Sequence, residues 1–147
     1  MVEGRVDHLP GRPVVQGTAS GVLVGGNLTV LAASAGAREV RPARRGIALL
    51  EDVAEQPYRL DRLLTQLLRT GWFDGVHGVA CGSFTDCGDP AQVRRLLTAR
   101  LGPLGVPLVL DLPIGHGPAN HPVLLGRPAT LDGSAGTLVT AAPRRLV

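Results

Sequence analysis

The 147-residue chain contains no lysine at all, and its fifteen basic residues are all arginine. Aromatics make up 3% of it, one Trp, one Tyr and two Phe. It has two cysteines, Cys81 and Cys87. No apolar run approaches the ~20 residues of a membrane span. Each shortage excludes something. With no lysine and a net charge of +3, the arginines read as coding bias, not as an adaptation to an anionic partner. Their local clusters, Arg38-Arg41-Arg44-Arg45 and Arg144-Arg145, are not interleaved with aromatics that could stack on bases, which argues against nucleic acid. Two cysteines suggest no disulfide framework. Residues 1–13 carry charge and proline but no apolar segment of leader type, which argues against a secretory signal and makes the cytoplasm the expected compartment.

What remains is an ordinary globular composition, 44% hydrophobic and 18% charged, long enough for one domain with a core of Leu, Val, Ala and Ile. Residues 1–13 read as a linker or N-terminal arm and residues 14–147 as the domain. Residues 14–24 read as a strand bending at Gly21. Gly25-Gly26-Asn27 reads as a turn, with Asn27 capping a short helix, Leu28 to Ala33. An Arg-rich loop follows. Ile47 to Glu51 is then a buried strand. Tyr58 to Arg69 is a helix with Leu60, Leu63, Leu64, Leu67 and Leu68 on one face, ended by Gly71. Val76 to Cys81 is the next strand. Asp89-Pro90 opens a second long helix, with Gln92 completing a capping box and Val93, Leu96, Leu97 and Leu101 as its apolar face. Gly102 stops it. Val106 to Asp111 is the third strand, and two or three short strands lie between Val123 and Val139.

Strand–helix–strand–helix–strand predicts an α/β domain with a mainly parallel central sheet and two main helices. The first and last strands are expected to add a second, smaller layer. Loops after parallel strands converge beyond their carboxyl ends, where ligands gather. Glu51, Cys81 and the stretch Asp111 to His116 all fall at such ends.

Pro113-Ile114-Gly115-His116-Gly117-Pro118 sets one histidine in a turn. His116 reads either as a general base or as a loop histidine bonded to backbone. Glu51 ends an apolar strand and needs a partner. That partner is either the second ring nitrogen of His116, or a helix dipole or an arginine such as Arg59 or Arg62. Asp52 and Glu55 are expected to serve the positive N-terminus of the helix that follows them, and Asp61 and Arg62 to be surface charges.

Nucleophiles near these strand ends are few. Cys81 could pair with His116 in a self-sufficient cysteine hydrolase, or be a small buried strand residue. Ser83 is a weaker candidate, and no G-x-S-x-G elbow exists. His77, His116, His121, Cys81 and Cys87 lack metal-site spacing. Gly25-Gly26 and Gly82 are too isolated to mark a phosphate loop.

Several stretches together are similar to the C-terminal half of the muropeptide LD-carboxypeptidase family of serine peptidases, which includes the microcin C immunity-type peptidases. They are Ala19 to Leu28, Leu49 to Glu55 with Tyr58 to Leu64, Gly82-Ser83-Phe84, and Pro113-Ile114-Gly115-His116 with Asn120. The resemblance spans nearly all of residues 15–135. It implies a swivelling β/β/α-type layered domain. It implies a Ser-His-Glu triad in which His116 is the histidine and Glu51 the glutamate. The serine and its oxyanion hole would lie in a separate N-terminal domain that this chain lacks, and would reach the site in cis or in trans. The implied reaction is hydrolysis of an L,D peptide bond, releasing terminal D-alanine from cell-wall tetrapeptides in peptidoglycan recycling, without metal or organic cofactor. The implied partners are a muropeptide or peptide substrate and the serine-bearing domain. A chain of this kind is expected to be inactive alone. The alternative from another class is a non-catalytic interaction or homodimerisation module, for which Glu51 and His116 need not meet.

Overall fold

A computed structural model describes residues 5–142; Arg144-Arg145 lies outside the described residues. The elements run β1 (Val6–Pro10), β2 (Arg12–Val15), β3 (Thr18–Asn27), α1 (Leu28–Ser34), β4 (Gly46–Val53), α2 (Pro57–Arg69), β5 (Gly78–Thr85), α3 (Pro90–Leu101), β6 (Leu108–Leu110), β7 (Pro128–Asp132) and β8 (Thr137–Ala141). The eight strands form one sheet in the order β1-β8-β7-β3-β4-β5-β6-β2. β3, β4, β5 and β6 are mutually parallel, as the alternation of strands and helices requires. The flanking pairs are antiparallel.

Residues 1–13, expected to be a linker or arm, are strand over most of their described length. β1 and β2 pair at opposite edges of the sheet, yet only Gly11 separates them. One residue of chain spans ~3.8 Å, so the sheet must curl until both edges meet on residues 6–15. Gly11 sits at the crossing. Its amide donates to the Gly136 carbonyl at 2.7 Å, and a Cβ there would stand 2.6 Å from the Leu110 carbonyl oxygen. Nothing local in Val6–Val15 announces this, because Pro10, Gly11 and Pro13 look like punctuation, and pairing partners near residues 110 and 140 supply the order.

The curl creates two cores. Alternation along β4 sends Ala48 and Leu50 toward the helices, with Leu60, Leu64, Leu67, Val93, Leu97 and Leu101. Ile47 and Leu49 point the other way, into a second core with Leu9, Leu23, Val109, Leu131 and Leu138. The smaller strand layer expected of the chain's first and last strands is thus the curled-over part of one continuous sheet, giving strand, strand and helix layers.

α2 forms because Leu60, Leu64 and Leu67 share a fully buried face, each contributing roughly 2 kcal/mol of burial. It ends at Thr70, and Gly71 follows with φ +75°. α3 starts where Asp89 accepts a bond from the Gln92 amide at 3.0 Å, with Pro90 in its first turn. It ends at Leu101 with Gly102 as its C-cap, as expected, and the chain then passes through a 3₁₀ turn before Gly105 turns left-handed at φ +69°.

Two boundaries differ in ways that shape the site. Gly25-Gly26-Asn27 is not a turn but the end of β3. Both glycines have positive φ, and a Cβ on Gly25 would strike the Leu49 carbonyl of β4. Asn27 does cap α1, accepting from the Val30 amide at 3.0 Å. β5 runs on past Cys81 to Thr85, because Phe84 and Thr85 pair with Asp52 and Val53 of a longer β4. Glu51 and Cys81 are therefore inside their strands, not at the ends.

Candidate functional site

Glu51 continues the parity of Ile47 and Leu49, so its side chain leaves β4 on the face away from the helices. It is 7% exposed. A carboxylate so enclosed requires a partner.

The partner comes from the long connection between β6 and β7. Its first residues run beside the end of β5. The Leu112 amide donates to the Cys81 carbonyl at 3.0 Å, and the Ser83 amide to the Ile114 carbonyl at 2.7 Å. Gly115, at φ +106°, then turns the chain over Glu51. A side chain at this glycine has no room: a Cβ would lie 2.7 Å from Glu51 Oε2 and 2.9 Å from Ser83 Oγ. His116 follows, and its Nδ1 lies 2.7 Å from Glu51 Oε2. The return of the loop is pinned by Asn120 Oδ1, which accepts from the Gly115 amide at 3.2 Å, and by the His121 amide, which donates to the Pro113 carbonyl at 2.7 Å.

An ionised carboxylate only accepts, so Nδ1 carries the proton and Nε2 is the basic nitrogen. The imidazole side chain is 54% exposed, and Nε2 has no hydrogen-bond partner among the described residues. The arrangement holds one tautomer, supports a positive charge on the ring, and presents a basic nitrogen outward.

The neighbouring acids are occupied elsewhere. Asp52 was expected at the N-terminus of α2; it serves α1 instead. Its carboxylate accepts from Thr29 N at 2.9 Å, Thr29 Oγ1 at 2.8 Å, Asn27 Nδ2 at 3.0 Å and its neighbour Val53 N at 2.8 Å. Glu55 pairs with Arg59 at 2.9 Å, which removes that arginine as a partner of Glu51. Asp61 is a surface charge, as expected, and bridges to Arg100 of α3.

Cys81 does not join His116. It points into the helix-side core, with no exposed surface. Burial first, and the Asp111 charge second, push its thiol well above the ordinary range, the opposite of what an activated nucleophile needs. Ser83 makes no bond to the imidazole. His77 Nδ1 lies 3.1 Å from the Ser20 carbonyl and His121 Nε2 3.0 Å from Asp7. The histidines and cysteines named above do not converge: among the described residues no group of three or more His, Cys, Asp or Glu side chains could hold a metal ion. No described helix is long and apolar enough to cross a membrane.

Two supports of the site escape a linear reading. Asp7 of β1 holds His121, and through it the return of the His116 loop. Asp111, left-handed at φ +57°, accepts from Arg12 at 2.9 Å and Arg94 at 2.8 Å, joining β2 and α3 to the start of that loop. No local signal marks either one, since the partners lie 114 and 99 residues away for His121 and Arg12 respectively.

Comparison with known proteins agrees with this architecture. Residues 20–131 match the family model described as LD-carboxypeptidase C-terminal domain. A Streptomyces coelicolor protein that carries a provisional carboxypeptidase name is 51% identical over 140 residues, covering 95% of this chain and 45% of that protein. The murein tetrapeptide carboxypeptidase of Pseudomonas aeruginosa is 38% identical over 133 residues, covering 88% of this chain and 42% of that one. The crystal structure of muramoyltetrapeptide carboxypeptidase from Oxalobacter formigenes shares the fold with a TM-score of 0.77 at 26% identity, over 96% of this chain and 52% of that chain. The chain spans about half the length of the curated relatives it matches.

Proposed function

Since the chain belongs to the LD-carboxypeptidase family, as its C-terminal domain, we propose that it supplies the base and the orienting carboxylate of a serine peptidase that cleaves L,D peptide bonds in muropeptides. The observation that carries this is the 2.7 Å bond between His116 Nδ1 and Glu51 Oε2. A pure interaction module would have no use for a half-exposed imidazole fixed in one tautomer by an enclosed carboxylate.

In the proposed mechanism, His116 Nε2 takes the proton of a serine hydroxyl as its oxygen attacks the scissile carbonyl. Glu51 stabilises the imidazolium that results. As the C–N bond breaks, His116 passes that proton to the leaving amine of the terminal D-amino acid. Water then hydrolyses the acyl-serine with His116 again as base.

The serine comes from outside this half of the enzyme. Of the chain's own serines, Ser20 faces Thr130 at 3.0 Å, Ser34 donates to the Val30 carbonyl and Ser134 accepts from the Gly17 amide. Ser83 Oγ is buried. The relatives' additional length has room for a serine-bearing domain, in cis or in trans. The setting that fits is cytoplasmic turnover of cell-wall peptides.

The test is reconstitution. The chain is joined to, or mixed with, a serine-bearing N-terminal domain, and release of D-alanine from a tetrapeptide is measured. The chain alone should release none. His116→Ala in the reconstituted enzyme should lower kcat/KM by ~10³-fold or more. Normal turnover by that variant would overturn the assignment of the base, and turnover by the chain alone would overturn the need for a second domain.

A further inference from the structure

Ser83 carries a buried hydroxyl with no hydrogen-bond partner. Such orphans are rare in native folds, and each calls for an explanation. Three features place this one against the Glu51 carboxylate.

The first is a bulge. Leu50 pairs with Cys81 and Asp52 pairs with Phe84, so the single residue Glu51 stands opposite both Gly82 and Ser83. Bulges are uncommon between parallel strands, and they re-aim side chains. Along β5, Val79 and Cys81 face the helix-side core and Ala80 faces the other core. Simple alternation would send Ser83 to the helices. The extra residue reverses the parity, so that Phe84 takes the helix side and Ser83 turns to the His116 loop.

The second is the loop itself. A Cβ on Gly115 would lie 2.9 Å from Ser83 Oγ and 2.7 Å from Glu51 Oε2. The hydroxyl and the carboxylate therefore flank one point. A Cβ on Gly117 would lie 3.1 Å from Ser83 Cβ and 3.3 Å from its Oγ. The two glycines around His116 lie directly over this serine.

The third is complementary need. Glu51 Oε2 accepts from His116, while Oε1 has no donor among the described residues. A buried donor without an acceptor thus stands beside an acceptor with capacity to spare. Of the other acids nearby, Asp52 is bonded to Asn27 and Thr29, and Glu55 lies 2.9 Å from the Arg59 guanidinium, although its Oε2 makes no hydrogen bond.

We propose that Ser83 is a positioning residue that supplies the second hydrogen bond to the Glu51 carboxylate. A rotation about the Ser83 Cα–Cβ bond closes the gap, or one bridging water does so. The bond shares the carboxylate's charge between two donors. It holds the carboxylate plane toward His116 and moderates how strongly Glu51 stabilises the imidazolium. The role rests on the Glu51–His116 assignment above, but its test needs no peptidase activity.

The test is an NMR titration of the His116 ring in the isolated chain, wild type against Ser83→Ala, together with the resonance of the proton between His116 and Glu51. Ser83→Ala removes the proposed bond to the carboxylate and no other hydrogen bond seen in the fold, so the variant should stay folded and unfold at a modestly lower denaturant concentration. Without its second donor the carboxylate stabilises the charged ring more, so the His116 midpoint should move upward by a few tenths of a pH unit or more. The shared proton should move downfield. Ser83→Thr, which restores a hydroxyl, should return both signals toward wild type. Superimposable titrations and an unmoved proton in Ser83→Ala would overturn the proposal and leave Ser83 as a packing residue. Failure of reconstituted activity would instead count against the peptidase function and leave these titrations standing.

Discussion

Glu51 and Asp52 are consecutive in β4 and serve opposite faces of the sheet. Glu51 reaches His116 on the loop side, and Asp52 reaches Thr29 at the first turn of α1 on the helix side. Alternation alone separates a carboxylate bonded to His116 from one that holds a helix in position. Both are nearly enclosed, and neither can take the other's place.

Asp52→Ala should therefore act on stability. It removes an acceptor that satisfies donors of Asn27, Thr29 and Val53 and leaves them beside a 2%-exposed site. We expect a loss of about 2–4 kcal/mol, read from the denaturant midpoint. His116→Ala removes one partner from an enclosed carboxylate and should lose less, about 1–2 kcal/mol, in the same measurement. Equal losses would mean that the two acids are not divided in this way.

Gly115→Ala tests how closely the loop is fitted over Glu51. The position combines φ +106° with contacts to Glu51 and Ser83 that a methyl group cannot share. The backbone strain alone is worth about 1–2 kcal/mol, and the loop must also lift. The variant should lose the proton resonance between His116 and Glu51, and a reconstituted enzyme should lose at least ~10²-fold in kcat/KM. Wild-type resonance and turnover would show that the loop tolerates a side chain there.

Asp7→Ala should loosen the same loop from its other end. Asp7 and His121 form a part-buried pair at 3.0 Å, worth about 0.5–1 kcal/mol at such exposure. Amide exchange at Gly115 and His121 should speed up by ~2–5-fold, while exchange in β4 stays unchanged. Unaltered exchange in the loop would mean that β1 does not brace it.

The cysteines should be inert in the native chain. Burial raises both thiols, so neither supplies thiolate near neutral pH, and alkylation at pH 8 should wait for unfolding. Linkage gives a second signature for Cys81. Its folded-state value lies above the ordinary 9.0, so the stability from keeping it neutral is complete below pH 9. It declines above that pH, as the unfolded thiol ionises and the folded one does not. Cys81→Ala should flatten this alkaline decline in a series of denaturant curves. Rapid labelling of native Cys81 would revive the cysteine-hydrolase alternative.

Much of the site was legible locally. Asn27 and Asp89 are caps because a short acceptor side chain can reach an amide two or three residues ahead. α2 and α3 follow from leucines and valines that repeat at helical spacing. Strands alternating with helices impose parallel pairing, which sends Glu51 and the His116 loop to one edge of the sheet. Glu51 could be singled out because a carboxylate ending an apolar strand needs a partner, but the choice between His116 and Arg59 stayed open.

That choice was tertiary. His116 and Glu51 are 65 residues apart, and what joins them is the path of the loop along an extension of β5 that Gly82 and Ser83 conceal in the sequence. The bulge that turns Ser83 toward the site exists only in the pairing of two strands. The course of Val6–Val15 was hidden for the same reason: a strand that closes a curled sheet is defined by its partners at residues 108–110 and 137–141, not by its own residues. Local sequence determined the elements and their caps, because those forces act within a turn or two of chain. The closure of the sheet, and with it the meeting of His116 and Glu51, waited on contacts that form only when the whole domain has folded.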